Sequence, residues 1–232
     1  MSEPKASEPV SGWDLRRQRG DAHGFHQRDL PTGEARELWW FEVEQPTLVL
    51  GSTQRDDVVD RAAVDAGGVE VVRRRSGGAA VLLVPGETTW IDLVIPRHDP
   101  LWDDDVGRAA HWVGETWRAT LDMLGVRGAT VHLGGLERRP WSELVCFAGL
   151  GPGEVTVGAA KVVGIAQRRT RAGARFQCAL LHRWAPVDLA GLLALDADRR
   201  AALAADLGSV ALGLDVEPAD AVDALQRALA PR

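Results

Sequence analysis

Lysine is almost absent from this chain. It has 27 basic residues, and two of them, Lys5 and Lys161, are lysines. A compact ammonium and a wide planar guanidinium do different work, so a site that needs a point charge on one atom cannot use arginine instead. A GC-rich codon bias would also deplete lysine, and the count alone leaves both explanations open. Cysteine is nearly as scarce. Cys146 and Cys178 are too few for a disulfide framework and point to a reducing compartment. No apolar run reaches the length of a membrane span. The N-terminal residues lack the apolar stretch of a secretory signal. A cytoplasmic protein with no membrane partner is therefore expected. Positive charge is not in excess either. The net charge of −6 argues against general affinity for nucleic acid, which requires a basic surface. His98, His111, His132 and His182 show no metal-ligand spacing, so no protein-held metal is expected.

What is present is a chain of 232 residues, 45% hydrophobic, enough for one substantial core and a small appendage. Tyrosine is missing but tryptophan occurs nine times. Most of these indoles are expected in packing, and a few could line an apolar pocket. Residues 1–30 are polar, with Arg16, Arg17, Arg19 and Arg28 among Gly, His and Gln, and read as a poorly ordered tail. Short β patterns follow over 47–51, 69–74, 79–83 and 88–95, with a helix near 57–66. Apolar residues at steps of three and four predict one long helix over 103–125. Asp103, Asp104 and Asp105 suit its start and Gly125 its end. Further strands are predicted at 130–133, 143–147, 154–157, 161–168 and 174–181. Residues 186–232 are Ala/Leu-rich and helical, with Pro218 opening the last helix. Strands, a helix, more strands and terminal helices imply an α+β fold with a largely antiparallel central sheet flanked by helices.

Two segments carry candidate chemistry. The first is Arg73-Arg74-Arg75-Ser76-Gly77-Gly78-Ala79-Ala80-Val81. Small residues let backbone N–H groups approach a charged ligand, and the arginines can neutralise phosphate or carboxylate. It lacks the Gly-Lys-Ser/Thr ending of a Walker loop. A strand rather than a helix follows, which excludes a dinucleotide fingerprint. A tight hairpin with a basic strand would look the same. The second segment is Lys161-Val162-Val163-Gly164-Ile165-Ala166-Gln167-Arg168, in which Gly158 and Gly164 bracket Lys161. A strand-borne lysine there could hold a carbonyl and a phosphate oxygen together. Such preorganised charge contributes about 3–4 kcal/mol to a transition state. The plainer explanation is an edge-strand lysine that discourages aggregation.

Together these segments resemble lipoate–protein ligases. Arg73-Arg74-x-Ser76-Gly77-Gly78-x-Ala80-Val81 is similar to that family's Arg-Arg-x-Ser-Gly-Gly-Gly-Ala-Val signature. Lys161-x-x-Gly164-x-Ala166-Gln167-Arg168 is similar to its lysine segment, and Gly51 to Gln54 to its Gly-x-x-Gln strand. The resemblance implies the biotin/lipoate protein ligase catalytic-domain fold over 31–185, followed by a short helical segment over 186–232. It implies attachment of a lipoyl or octanoyl group, by way of an acyl-AMP, to a lysine of a lipoyl-carrier domain. The implied partners are lipoyl domains of 2-oxoacid dehydrogenase complexes or the glycine-cleavage H protein, and the implied co-substrate is ATP with Mg2+. Carried over by position, Arg74, Ser76, Gly77, Gly78, Ala79, Ala80, Val81, Leu82, Lys161 and Gly164 would surround the acyl-adenylate, with Gln54 and Gln167 close by. Lys161 would sit at the acyl carbonyl and the α-phosphate. An acyl tail would need only an apolar tunnel: about six methylenes at about 0.8 kcal/mol each give roughly 5 kcal/mol.

The chain also departs from that pattern. Ala79 replaces the third glycine, Leu83-Val84-Pro85-Gly86-Glu87 replaces a His-Asp-x-Gly-Asn continuation, and Gln177-Cys178 stands where His-Gly is expected. Cys146-Phe147, fifteen residues before Lys161 and with Glu154 between, resembles the arrangement of cysteine-dependent octanoyl transferases. These take the acyl group as a thioester from an acyl carrier protein, without ATP. Cys146 is thus a second candidate catalytic residue beside Lys161, and a small buried hydrophobe is its plainer explanation. Cys178, in an apolar strand, is expected in the core. A non-catalytic relative that binds lipoate or acyl-AMP is the alternative from another class.

Overall fold

The computed structural model describes residues 12–230. In chain order the elements are β1 (Trp13–Gly20), α1 (Ala22–Gln27), β2 (Arg36–Val43), β3 (Thr47–Leu50), α2 (Arg61–Ala66), β4 (Glu70–Arg73), β5 (Val81–Leu83), β6 (Thr88–Pro96), α3 (His111–Met123), β7 (Ala129–Val131), β8 (Val155–Val157), β9 (Ala160–Arg169), β10 (Gly173–Leu181), α4 (Pro186–Gly191), α5 (Ala197–Asp206) and α6 (Pro218–Leu229). A seven-stranded sheet runs β1-β2-β6-β10-β9-β8-β7, and a three-stranded sheet runs β4-β3-β5. In the large sheet only β1 and β2 pair parallel. The α+β class and the antiparallel bias expected from the sequence are what the chain adopts.

Strand β6 explains the layering. Ile91, Leu93 and Ile95 face one cluster, where Val113, Trp117 and Leu121 of α3 and Val222 and Leu225 of α6 pack. Trp90 and Val94 face the opposite cluster, with Phe25 of α1, Val49, Val72 and Leu83. The period-2 alternation of a strand buried on both faces thus joins two cores. A third cluster, under α2, α4 and α5, backs the outer side of the small sheet.

Several sequence expectations are corrected. Residues 13–27, assigned to a disordered tail, form β1 and α1. β1 pairs along its length with β2, and Trp13 is 2% exposed. The arginines hid this strand. Arg17 and Arg16 are satisfied by Glu42 and Glu37, pairings that no local pattern reveals. Residues 1–11 of that tail, including Lys5, lie outside the described residues. The long helix starts at His111, after a 3-10 turn at Arg108–Ala110. Asp103 and Asp105 instead bind Arg108 in a loop. Residues 143–147 are not a strand. Trp141 has a left-handed backbone (φ 66°), and the chain turns there and enters a 3-10 turn at Cys146–Ala148.

Candidate active site

Lys161 lies near the start of β9, an interior strand of the sheet, where it pairs with Thr156 of β8, and is 2% exposed. The edge-strand explanation therefore fails. Its backbone is clamped again from the segment between α5 and α6: its N–H donates to Val210 O (2.8 Å), and its carbonyl accepts from Leu212 N (3.0 Å). The ammonium donates to Glu154 Oε2 (2.7 Å) and to the carbonyl of Cys146 (3.0 Å), with the Phe147 ring 5.2 Å away. Glu154 is itself oriented by two backbone donors, Gly151 N to Oε2 (2.6 Å) and Ile165 N to Oε1 (3.1 Å). An ammonium has three donors. Two are used among the described residues, and Lys161 lines an open cleft.

The glycine-rich segment is stitched to the Cys146 turn. Ala80 N donates to Leu144 O (3.0 Å), and Cys146 N donates to Ala80 O (2.9 Å). Arg74 folds back over its own loop, donating to the carbonyls of Gly77 and Ala79. It is 5% exposed, has no carboxylate partner among the described residues, and reaches Cys146 Sγ at 3.6 Å. This packing explains Gly78. Its φ is 100°, and a Cβ there would lie 2.5 Å from the Arg74 guanidinium. Position 79 needs no left-handed backbone, so alanine serves there in place of a glycine. Gly164 faces the Phe147 ring, which a Cβ would approach to 3.1 Å.

Two spaces meet at Cys146. One is a slot with almost wholly apolar walls, among them Val49, Val81, Leu83, Trp90, Phe147 and Ala179. The other is a wider cleft of mixed lining, with Gln54, Gly77, Gly78, Glu154, Lys161 and Gln167 among its residues. The slot holds about 470 Å³ of atom-free space counted out through its mouth, the cleft about 1650 Å³ on the same count. Cys146, Ile165 and Ala166 line both. Ala79 is on the cleft, Ala80 is buried against the Cys146 turn, and Gln54 donates to Leu144 O (3.0 Å). Leu82 is not in the site. Alternation along β5 turns it toward the cluster under α4 and α5. Cys178 also touches the slot, but it belongs to the core, where burial pushes its thiol well up.

A family profile described as the lipoyl protein ligase A/B catalytic domain matches residues 25–229. The chain belongs to this family. Its fold is that of a bipartite archaeal lipoate protein ligase studied with its E2 lipoyl domain, from Thermoplasma acidophilum: TM-score 0.72 at 18% identity over 94% of this chain and 81% of that one. Lipoate-protein ligase A bound with ATP superposes with TM-score 0.70, 18% identity and 94% and 83% coverage. LipL1 of P. falciparum, in complex with lipoate, gives 0.65, 12%, 94% and 61%. At these identities the likeness concerns the fold. No curated protein gives a significant match.

Four side chains of this candidate site escaped the sequence reading. Glu154 was legible only as a residue between Cys146 and Lys161, and its role as counter-ion appears once β8 and β9 pair. Phe147 was noted only as the partner of Cys146 in a motif. His26 sat in a supposed tail. Gln177 stood out only as a departure, yet it joins Ser76 (Oγ to Oε1, 2.6 Å) to His26 (Nε2 to Nδ1, 3.2 Å).

Proposed function

We propose that this protein transfers an octanoyl or lipoyl group from an acyl carrier thioester to the lysine of a lipoyl-carrier domain, through a thioester on Cys146. The position of Cys146 Sγ carries the reading. Cys146 is half-buried and lines both the apolar slot and the cleft, and its sulfur lies beside a guanidinium with no carboxylate partner among the described residues. The Cys146 thiolate attacks the donor thioester carbonyl, the C–S bond to the carrier breaks, and the carrier leaves as a thiol after taking a proton. The carrier-domain amine then attacks the Cys146 thioester, loses a proton and expels the thiolate. Both steps pass through an oxyanion. The unused donor of Lys161 supports its stabilisation from the cleft side, and the slot walls support the alkyl tail. Acyl carrier protein supplies the group. Lipoyl domains of 2-oxoacid dehydrogenases or the H protein of glycine cleavage receive it.

A second reading keeps its place because the cleft is wide and glycine-lined, and because a solved lipoate-protein ligase of this fold is bound with ATP. In that reading lipoate or octanoate is first adenylated and the chain is an ATP-dependent ligase. Among the described residues no group of three His, Cys, Asp or Glu side chains could hold a metal. Magnesium would then enter on the nucleotide phosphates. One experiment separates the readings. Native protein and Cys146→Ser are incubated with a lipoyl domain and either octanoyl-acyl carrier protein or octanoate with ATP and Mg2+, and acylation is read by mass. Transfer from the thioester alone, lost in Cys146→Ser, is expected. ATP-dependent acylation that survives Cys146→Ser supports the ligase. Acylation from neither donor, with tight acyl-AMP binding by calorimetry, leaves a non-catalytic binder.

A further inference from the structure

The apolar slot shares a wall with a second space. Leu83 and Trp90 line the slot, and both also line a separate pocket with Trp40, Phe41, Val43 and Pro85 among its residues. That pocket holds about 730 Å³ of atom-free space counted out through its mouth. The indole of Trp90 is the partition. Its ring centroid lies 4.4 Å from that of His26, a slot residue, and 5.0 Å from that of Phe41, a residue of the pocket behind. The ring is also fixed in place. Trp90 is 3% exposed, Nε1 donates to Asp92 Oδ1 (2.8 Å), and Phe25 meets the indole edge-on at 5.9 Å. Three ring contacts and a hydrogen bond leave the indole no free direction to swing.

Sheet register sets this partition away from the cleft. Ala166 lines both slot and cleft and pairs with Gln177 of β10. Trp90 pairs with Ala179, two residues further along the same strand. Two strand residues advance about 7 Å. Neither Leu83 nor Trp90 lines the cleft. Val81 and Phe147 divide the slot from another pocket, but Phe147 follows Cys146 and its ring is 5.2 Å from the Lys161 ammonium, so that wall stands beside the chemistry. We infer that Trp90 sets the length of the acyl chain. The slot takes a chain of medium length whose tail stops against the indole, and the space that would hold a longer one is shut behind it. The inference rests on the reading of this slot as an acyl site and narrows its substrate class. Each added methylene gains from burial until one meets the ring, and from there overpacking opposes the next.

A chain-length series tests this. Acyl carrier thioesters from hexanoyl to tetradecanoyl, and the matching fatty acids with ATP and Mg2+, are given to native protein and to Trp90→Leu with a lipoyl domain. Acylation rates at matched folded concentration are read by mass. In the native protein the rate should rise about fourfold per methylene up to one length, then fall about tenfold or more over the next two carbons. In Trp90→Leu the preferred chain should be longer by at least two carbons, and the dodecanoyl-to-octanoyl rate ratio should rise about tenfold or more. A merely loosened fold lowers every rate together and leaves that ratio unchanged. Trp90→Phe, which keeps a ring against Phe41, should move the ratio the same way by less, and serves if Trp90→Leu does not fold. Native protein that takes dodecanoyl and tetradecanoyl as readily as octanoyl overturns the inference and leaves the proposed acyl transfer standing. A native length limit that both variants keep does the same. Acylation at no chain length from either donor overturns both.

Discussion

Arg175 and Lys161 are both cations buried in the same sheet, 1% and 2% exposed, and both are paired with a buried carboxylate. They are not equivalent. Every guanidinium nitrogen of Arg175 has a partner. Its Nε donates to Asp92 (2.5 Å), and its two terminal nitrogens donate to Arg28 O (3.2 Å) and Phe25 O (2.8 Å). Its plane lies near Trp39 and Phe41, and Asp92 takes a further bond from Trp90 Nε1 (2.8 Å). A planar fork is suited to reaching three partners at once. Its product is the docking of α1 and the following loop onto β6 and β10. Lys161 instead ends in a point charge with one donor unused and a cleft in front of it. One buried ion pair holds the fold together. The other is held by the fold, at Gly151, Ile165 and residues 210–212, so that its charge stays presented.

Removing each cation gives the sharpest test of that difference. Arg175→Leu leaves Asp92 as an unpaired buried charge and two carbonyls without donors. Urea denaturation should show a loss of about 3–5 kcal/mol, with α1 detaching first by hydrogen exchange. Activity per folded molecule should stay close to native. Lys161→Met should act the other way. Glu154 keeps its two backbone donors, so the urea midpoint shifts less than for Arg175→Leu. The rate of the proposed acyl transfer should fall about 10²–10³-fold, the worth of one preorganised oxyanion donor. Steady-state assays at matched folded concentration read both. A Lys161→Met protein that merely unfolds, with normal turnover in the folded fraction, would erase the distinction.

The two pairs were unequally legible in the sequence. Lys161 stood out through its rarity and its glycine bracket, and its motif carried the family and the fold with it. Arg175 was one of many arginines, and nothing local marked it. Its partners are far along the chain, at Asp92 and at residues 25–28, and only sheet register and helix docking bring them together. Strand β1 was hidden for the same reason: it carries arginines on both faces, and Glu37 and Glu42, their partners, lie on the next strand. Glu154 and His26 matter through what they touch. A single sequence records spacing along the chain, and these contacts are made between β8 and β9 and between α1 and β10. The Cys146 turn was misread as a strand because its residues are apolar. Its geometry is set by the left-handed Trp141, whose indole is tied to Asp206 of α5 (2.8 Å).

A smaller effect reads the structural cation from a distance. His26 is buried beside Arg74 and Arg175, and burial first, then those two charges and His23, depress its pKa well below the ordinary 6.5. The unfolded chain therefore binds a proton near pH 6.5 that the folded chain refuses. The stability this group contributes is complete above pH 6.5 and is lost as pH falls toward the folded value, at up to about 1.4 kcal/mol per pH unit. Burial depresses His182 as well and gives a slope of the same sign. The informative quantity is thus the difference between native protein and variants, from urea midpoints at a series of mildly acidic pH values. His26→Phe should flatten the curve by its own share and leave the share of His182. Lys161→Met should leave the slope as it is, because Lys161 is not among the charges acting on His26. If Lys161→Met flattens the curve as much as His26→Phe does, the two buried cations belong to one electrostatic network, and dividing their work between fold and function is wrong.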